Sequence, residues 1–195
     1  MLLRQRYKEK FMRSKALSWS LALGALAGCS SGGAPISDGS FVTYEIGGTQ
    51  IRVMFEAAGS GDFLTVGQVT EDDGTVESAE GMPGHGKTVN SNIRTKSRNP
   101  LEVASFGPIW APPADLKEGG RVYGSSVSEV RNEQGRDVAV VTASVGAGGA
   151  LRGEWIYDVA TGFSLGGSMG TAFSGPDSGQ RFRLVATNVP GLAVP

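Results

Sequence analysis

The chain is poor in the residues that staple or ligate small folds: its 195 residues include one cysteine and one histidine. A single cysteine excludes an intramolecular disulfide framework, and with one histidine it leaves no Cys/His zinc site. Aromatics make up 8% and charged residues 19%, with 18 bases against 19 acids and a formal net charge of -1. Such a balance gives no electrostatic reason to expect nucleic acid as a partner. Long stretches of 3.6-residue periodicity with helix caps are missing after Cys29. Glycine is abundant instead, with 30 residues. Without a G-X-Y period this excludes collagen, and it disfavours helix, where each glycine costs about 1 kcal/mol relative to alanine. The length suits one domain that buries roughly two-thirds of its unfolded-chain surface.

These averages conceal an uneven amino terminus. Residues 1–28 hold six bases (Arg4, Arg6, Lys8, Lys10, Arg13, Lys15) and one acid, Glu9. From Ala16 to Gly28 the run ALSWSLALGALAG is uncharged and apolar or small. A basic segment, a short apolar segment and small residues before a cut site describe a secretory signal peptide. The apolar run is too short to cross a ~30 Å hydrocarbon core as a helix. Both Met1 and Met12 are compatible with the start of this signal.

The run ends in Leu26-Ala27-Gly28-Cys29. This resembles the lipobox of bacterial lipoproteins, in which the cysteine receives diacylglycerol through a thioether and becomes the first residue after cleavage. The resemblance implies cleavage of residues 1–28 and lipidation of Cys29, the one soft nucleophile in the chain. Two or three acyl chains anchor stably where one binds only marginally. Ser30 follows the cysteine; in the enterobacterial pattern aspartate there implies inner-membrane retention, so Ser30 implies the outer membrane. The expected location is the bacterial cell envelope, outer membrane favoured over inner. Removing residues 1–28 leaves 12 bases and 18 acids, a net charge of -6. An acidic domain is repelled by anionic surfaces, so attachment is expected through the lipid at Cys29 and not through a basic patch.

Residues 29–40 then read as lipidated cysteine and tether, since SSGGAPISDGS has the composition of flexible coil. Residues 41–195 read as a single β-rich domain. Val42, Tyr44 and Ile46 alternate with Phe41, Thr43 and Glu45; Gly47-Gly48 follows, then Ile51, Val53 and Phe55 alternate with Arg52 and Glu56. Two alternating runs joined by Gly-Gly predict a hairpin, because glycine supplies the positive φ of tight turns. A third strand is predicted over Phe63–Val69, with Asp73-Gly74 turning into Thr75–Ser78 and a further strand opening at Leu101, Val103 and Ser105. In the second half, strands are predicted over Val127–Arg131, Asp137–Val145, Leu151–Asp158, Phe163–Phe173 and Phe182–Ala186. The segment Asp137–Val145 has no polar face, which predicts a strand covered on both sides. Glycines at 166, 167 and 170 predict bulges or bending. Ala114–Glu118, just after Pro112-Pro113, allows one helical turn. The expected fold class is all-β, an antiparallel meander forming a curved sheet, sandwich or partly closed barrel.

Several constellations invite a chemical reading. Gly81-Met82-Pro83-Gly84-His85-Gly86-Lys87-Thr88 fits the phosphate-loop pattern G-x-x-x-x-G-K-[ST]. That loop works only between a buried strand and a helix whose amino end points at phosphates. Glu77 and Glu80 precede it and no apolar helical stripe follows, so the match is read as chance and no nucleotide is expected. His85, with Asp72, Asp73, Glu77 and Glu80 near in sequence, reads as a solvated turn and not a metal site. Arg94, Lys96 and Arg98 alternate as on an edge strand that resists aggregation.

Trp110-Ala111-Pro112-Pro113 with Leu116 and Gly119, taken with Trp155, Tyr157, Asp158, Thr161 and Gly162, resembles uncharacterised exported β-domains, a likeness that carries no activity. Trp110 and Trp155 are expected in the core. A serine-hydrolase reading lacks a nucleophile elbow and a placed base.

The sequence thus predicts no catalytic residue, no metal and no cofactor. The expected function is a lipid-anchored envelope lipoprotein whose non-enzymatic β-domain binds a partner protein, glycan or lipid. The alternative is an exported hydrolase using a carboxylate pair.

Overall fold

The computed structural model describes residues 36–70, 73–78, 85–90, 107–145, 151–171 and 180–195. Among the described residues eleven strands form one antiparallel sheet: β1 Ser40–Ile46, β2 Thr49–Gly59, β3 Asp62–Thr70, β4 Val76–Ser78, β5 Thr88–Asn90, β6 Arg121–Val122, β7 Ser125–Glu133, β8 Arg136–Val145, β9 Leu151–Asp158, β10 Ser164–Thr171 and β11 Gln180–Thr187. A 3-10 turn over Pro113–Asp115 is the only helical element among the described residues. The strand path runs β4-β3-β2-β1-β11-β10-β9-β8-β7-β6, with β5 also on β3. The expected all-β meander is therefore what forms, as a single sheet that does not close into a barrel among the described residues.

Two meanders meet at one non-local seam. β1 pairs β2 on one side and β11 on the other, with Tyr44 opposite both Ile51 and Leu184. The seam is finished by side chains: Asn188 Oδ1 accepts the Phe41 N–H at 2.7 Å, and the Thr187 hydroxyl donates to the Phe41 carbonyl oxygen. Ile36 and Ser40 are buried, and Asp38 Oδ1 accepts the Ala57 N–H. The chain is thus committed to the fold from Ile36 onward.

A sheet with one apolar face must cover it, and no helix is present among the described residues to do so. The sheet covers itself by curling. Phe55 on β2 and Phe163 just before β10 touch edge to face with centroids 6.2 Å apart. Three strand spacings separate β2 from β10, about 14 Å in a flat sheet. Tyr44 and Phe182 make a second such contact at 5.9 Å. Val42, Val53, Ile51, Leu184, Trp155 and Tyr157 complete the buried inner face, so the expectation that Trp110 and Trp155 belong to the core holds.

β8 is buried on both faces, as its sequence predicts: Val138, Ala139, Val140 and Val141 are all within the interior. Val189 and Leu192 after β11 join the same apolar cluster as Val138, and Arg136 Nη1 donates to the Ala193 carbonyl oxygen at 2.8 Å. On β10 the register slips against β9 between Ser164 and Gly166, so Leu165 is a bulge. The two glycines after it are sterically required. A Cβ on Gly167 would lie 2.2 Å from the Glu154 carbonyl oxygen and 2.8 Å from the Phe182 ring.

Candidate functional site

Three places in the described structure bring chemistry-bearing residues together: a clasp under the inner face, an edge carrying the single histidine, and the outer face of β1 and β2.

The clasp joins the two segments that stand out in the sequence, Ile109–Leu116 and Trp155–Gly162. The strap 107–116 crosses the inner face of β9. The Tyr157 hydroxyl donates to the Pro108 carbonyl oxygen at 2.8 Å, and a Cβ on Gly107 would touch the Trp155 ring at 3.1 Å. Trp110 then forms an antiparallel bridge with Phe163, flanked by bonds from Ala111 N to Gly162 O and from Ser164 N to Ile109 O, both 2.8 Å. The Trp110 indole N–H donates to the Thr161 carbonyl oxygen, and Tyr123 donates its hydroxyl to the Trp110 carbonyl oxygen. Asp158, the one charged residue in the interior among those described, holds the turn from below. Its Oδ2 accepts both the Thr161 N–H and the Thr161 hydroxyl, and its Oδ1 lies 3.8 Å from Arg136 Nε. These bonds tie the strap to the β9–β10 turn and hold the clasp together.

Two tyrosine hydroxyls are sealed inside. Tyr44 reaches across β11 to donate to the Ser164 carbonyl oxygen, beside the bulge on β10. Burial pushes its phenol far above the usual range. Burial likewise raises Tyr157, with Tyr123 and Tyr44 adding to the effect. Neither can act as a base near neutrality.

The histidine edge decides the phosphate-loop question for the described part of that motif. After Lys87, residues Thr88–Asn90 form a strand on β3, with Phe63 opposite Val89, where a nucleotide-binding loop needs a helix. The amide donors are spent on β3: Gly86 N–H donates to the Thr65 carbonyl oxygen and Lys87 N–H to Thr65 Oγ1. His85 Nδ1 accepts the Gly67 N–H at 3.0 Å, which fixes its remaining hydrogen on Nε2. The motif sits in the edge of the sheet, with residues 81–84 outside the described residues.

On the outer face, Arg52 lies over the Phe41 ring, its guanidinium carbon 4.6 Å from the centroid, while its Nε donates to Thr43 Oγ1. Beside it Arg183 pairs with Glu45 at 3.1 Å. The sequence reading did not single out Arg52 and Phe41. Their alternation places both on the solvent face of one hairpin, but their diagonal stacking depends on the register Phe41 opposite Met54 and Arg52 opposite Thr43.

The remaining sequence-predicted residues fall as follows. Cys29, Asp72, Glu80, Arg94, Lys96, Arg98 and the strand expected at Leu101–Ser105 lie outside the described residues. Asp73 and Glu77 are exposed; the Thr75 side chain and N–H hold the Asp73 carboxyl below its ordinary range. No group of three metal-ligating side chains converges among the described residues.

No family model matches the chain, and no curated protein matches it. Among solved structures it is similar to a hypothetical protein from Chlamydia trachomatis at 8% identity. The match covers 80% of this chain and 93% of that one with a TM-score of 0.37.

Proposed function

We propose that the chain is a lipid-anchored lipoprotein of the bacterial envelope whose β-domain is a non-enzymatic binding module. The carrying observation is the uncharged run Ala16–Gly28 after six bases, ending in Leu26-Ala27-Gly28-Cys29. Cys29 is the lipidation site, and Ser30 after it favours the outer membrane. The inner face of the sheet is occupied by its own aromatic side chains, with ring contacts at 5.9 and 6.2 Å. That packing favours recognition of an envelope protein or glycan at the surface over enclosure of a lipid. The clasp residues and the histidine edge are engaged within the fold, which accords with a binding role.

The test is Cys29→Ala in the full chain. The variant is expected to remain unprocessed or soluble, while the parent partitions into detergent and its mature mass carries diacylglycerol at Cys29. A processed Cys29→Ala protein that still partitions into detergent sinks the reading.

A further inference from the structure

The outer face of the first three strands carries an apolar row. Phe41 on β1 is opposite Met54 on β2, and Met54 is opposite Val66 on β3. Leu64, two residues from Val66 on the same face, is 38% exposed and among the few large apolar side chains that are. Arg52 lies at the border of this row. Its position is fixed twice, by the Phe41 ring and by Thr43 Oγ1, and its two Nη atoms take no partner among the described residues. A guanidinium held by its stem and one face, with the planar fork left open, is arranged to meet an oxyanion.

The position of this row along the sheet gives it an occupant. Phe41 is the second residue of β1, so the row crosses the sheet at the level where the chain enters β1 from Ile36, while the β2–β3 hairpin continues beyond it to Gly59 and Asp62. Cys29 lies seven residues before Ile36, and seven residues span at most about 24 Å. An acyl anchor at Cys29 therefore keeps the start of β1, and Phe41 with it, within tether reach of the bilayer. We propose that Phe41, Met54, Leu64, Val66 and Arg52 form a membrane-contact surface. The apolar row seats at the headgroup boundary and Arg52 engages lipid phosphate, so that the tethered domain has one preferred face toward the membrane. The inference rests on the lipid anchor proposed above. Glu56, across from Leu64, and Asp38 lie beside the row, so this surface is no polybasic patch. The anchor provides the affinity and the row provides the orientation.

The experiment uses the full lipidated chain reconstituted in vesicles of phosphatidylethanolamine and phosphatidylglycerol. With the Cys29 thiol consumed by its thioether, Leu64→Cys supplies the one free thiol for a spin label. Glu56→Cys is a second reporter beside the row, and Gln50→Cys is the control at the other end of β2, where Gln50 faces Glu45 and Thr70. Accessibility to a water-soluble nickel chelate is expected to fall roughly fivefold or more at residues 64 and 56 relative to residue 50, as for side chains at the headgroup boundary. Arg52→Gln in the Leu64→Cys background is expected to restore part of that access. Equal access at all three sites, in protein whose mass shows lipid on Cys29, overturns the docking surface and leaves the anchor standing. A mass without lipid overturns both. Shielding of residue 64 that appears only in native envelopes, and not in protein-free vesicles, assigns the row to a protein partner and overturns the bilayer contact.

Discussion

Trp110 donates its indole N–H to the carbonyl oxygen of Thr161, 51 residues further along, at 3.1 Å. The bond joins a proline-rich strap with no strand periodicity to the turn between β9 and β10, and the bridge to Phe163 continues the same contact in the backbone. Trp110 and Phe163 are both buried, so the strap is a structural part of the core. Trp110→Phe keeps most of the buried ring and leaves the Thr161 carbonyl oxygen without its indole donor. Equilibrium urea unfolding is expected to show a loss of about 1–3 kcal/mol for an unsatisfied buried acceptor. Trp110→Ala, which adds a cavity, is expected to lose about 3–5 kcal/mol.

Gly162 and Gly135 share a left-handed backbone, at φ +80° and +84°, but differ in their surroundings. A Cβ on Gly162 would lie 2.2 Å from the Ala111 carbonyl oxygen and 2.7 Å from Trp110 Nε1, whereas Gly135 has nothing within 4 Å. Gly135→Ala is expected to cost about 1–2 kcal/mol, the left-handed penalty alone. Gly162→Ala must cost more, because the strap has to move. Thermal unfolding of the two variants side by side measures the difference, and equal losses would mean that the clasp is not tight.

At the β3 edge, His85 stands in for a neighbouring strand by accepting the Gly67 N–H. His85→Ala removes that acceptor and opens an amide on the sheet margin. Hydrogen exchange at Gly67 is expected to accelerate about tenfold, the equivalent of one lost hydrogen bond of about 1.4 kcal/mol. Exchange at Val53, inside the sheet, is expected to stay unchanged.

Alkaline pH separates the buried tyrosines from the rest of the fold. Tyr44 and Tyr157 both have phenols raised by burial, so the native state keeps protons that the unfolded chain loses above its ordinary value of about 10. The unfolded state then binds fewer protons than the native state, and stability falls as pH rises. Stability is expected to be intact below about pH 10 and to drop by up to about 1.4 kcal/mol per pH unit for each tyrosine above it. Tyr44→Phe is expected to be less stable at neutral pH, because it gives up the bond to Ser164, and to show a shallower alkaline slope. Denaturant midpoints from pH 8 to 11.5 check both.

Much of this architecture is legible in the residues. The alternation of Val42, Tyr44 and Ile46 against Ile51, Val53 and Phe55 fixes a hairpin whose Gly47-Gly48 turn has φ of 59° and 94°. The doubly apolar run Val138–Val141 marks the strand covered on both faces. The 3-10 turn at Pro113–Asp115 starts one residue before the helical turn expected at Ala114–Glu118, with Pro113 at its first position. Other parts leave no such trace. β5 and β6 have three and two residues, too short to show a period, and exist because β3 and β7 offer them an edge. Nothing in Ile109–Ala111 announces Gly162 and Phe163 as partners, since that pairing is decided by the curl of the sheet. The stacking of Arg52 on Phe41 is hidden for a related reason: alternation assigns a face to each residue but not the diagonal neighbour it meets.

The seam between β1 and β11 sets the order in which the domain can be completed. β1 finds β2 within a few residues, yet its other margin waits for Ala186 and Thr187, more than 140 positions later. Until that last strand is available, the amino-terminal meander carries an unpaired row of backbone donors and acceptors along β1, with half of its apolar face uncovered. A sheet joined through strands as distant in sequence as β1 and β11 is slow to form, because its decisive contacts are long-range ones. The same arrangement makes β11 a checkpoint: truncation within it removes the partner of β1, and with it the join between the two halves of the sheet.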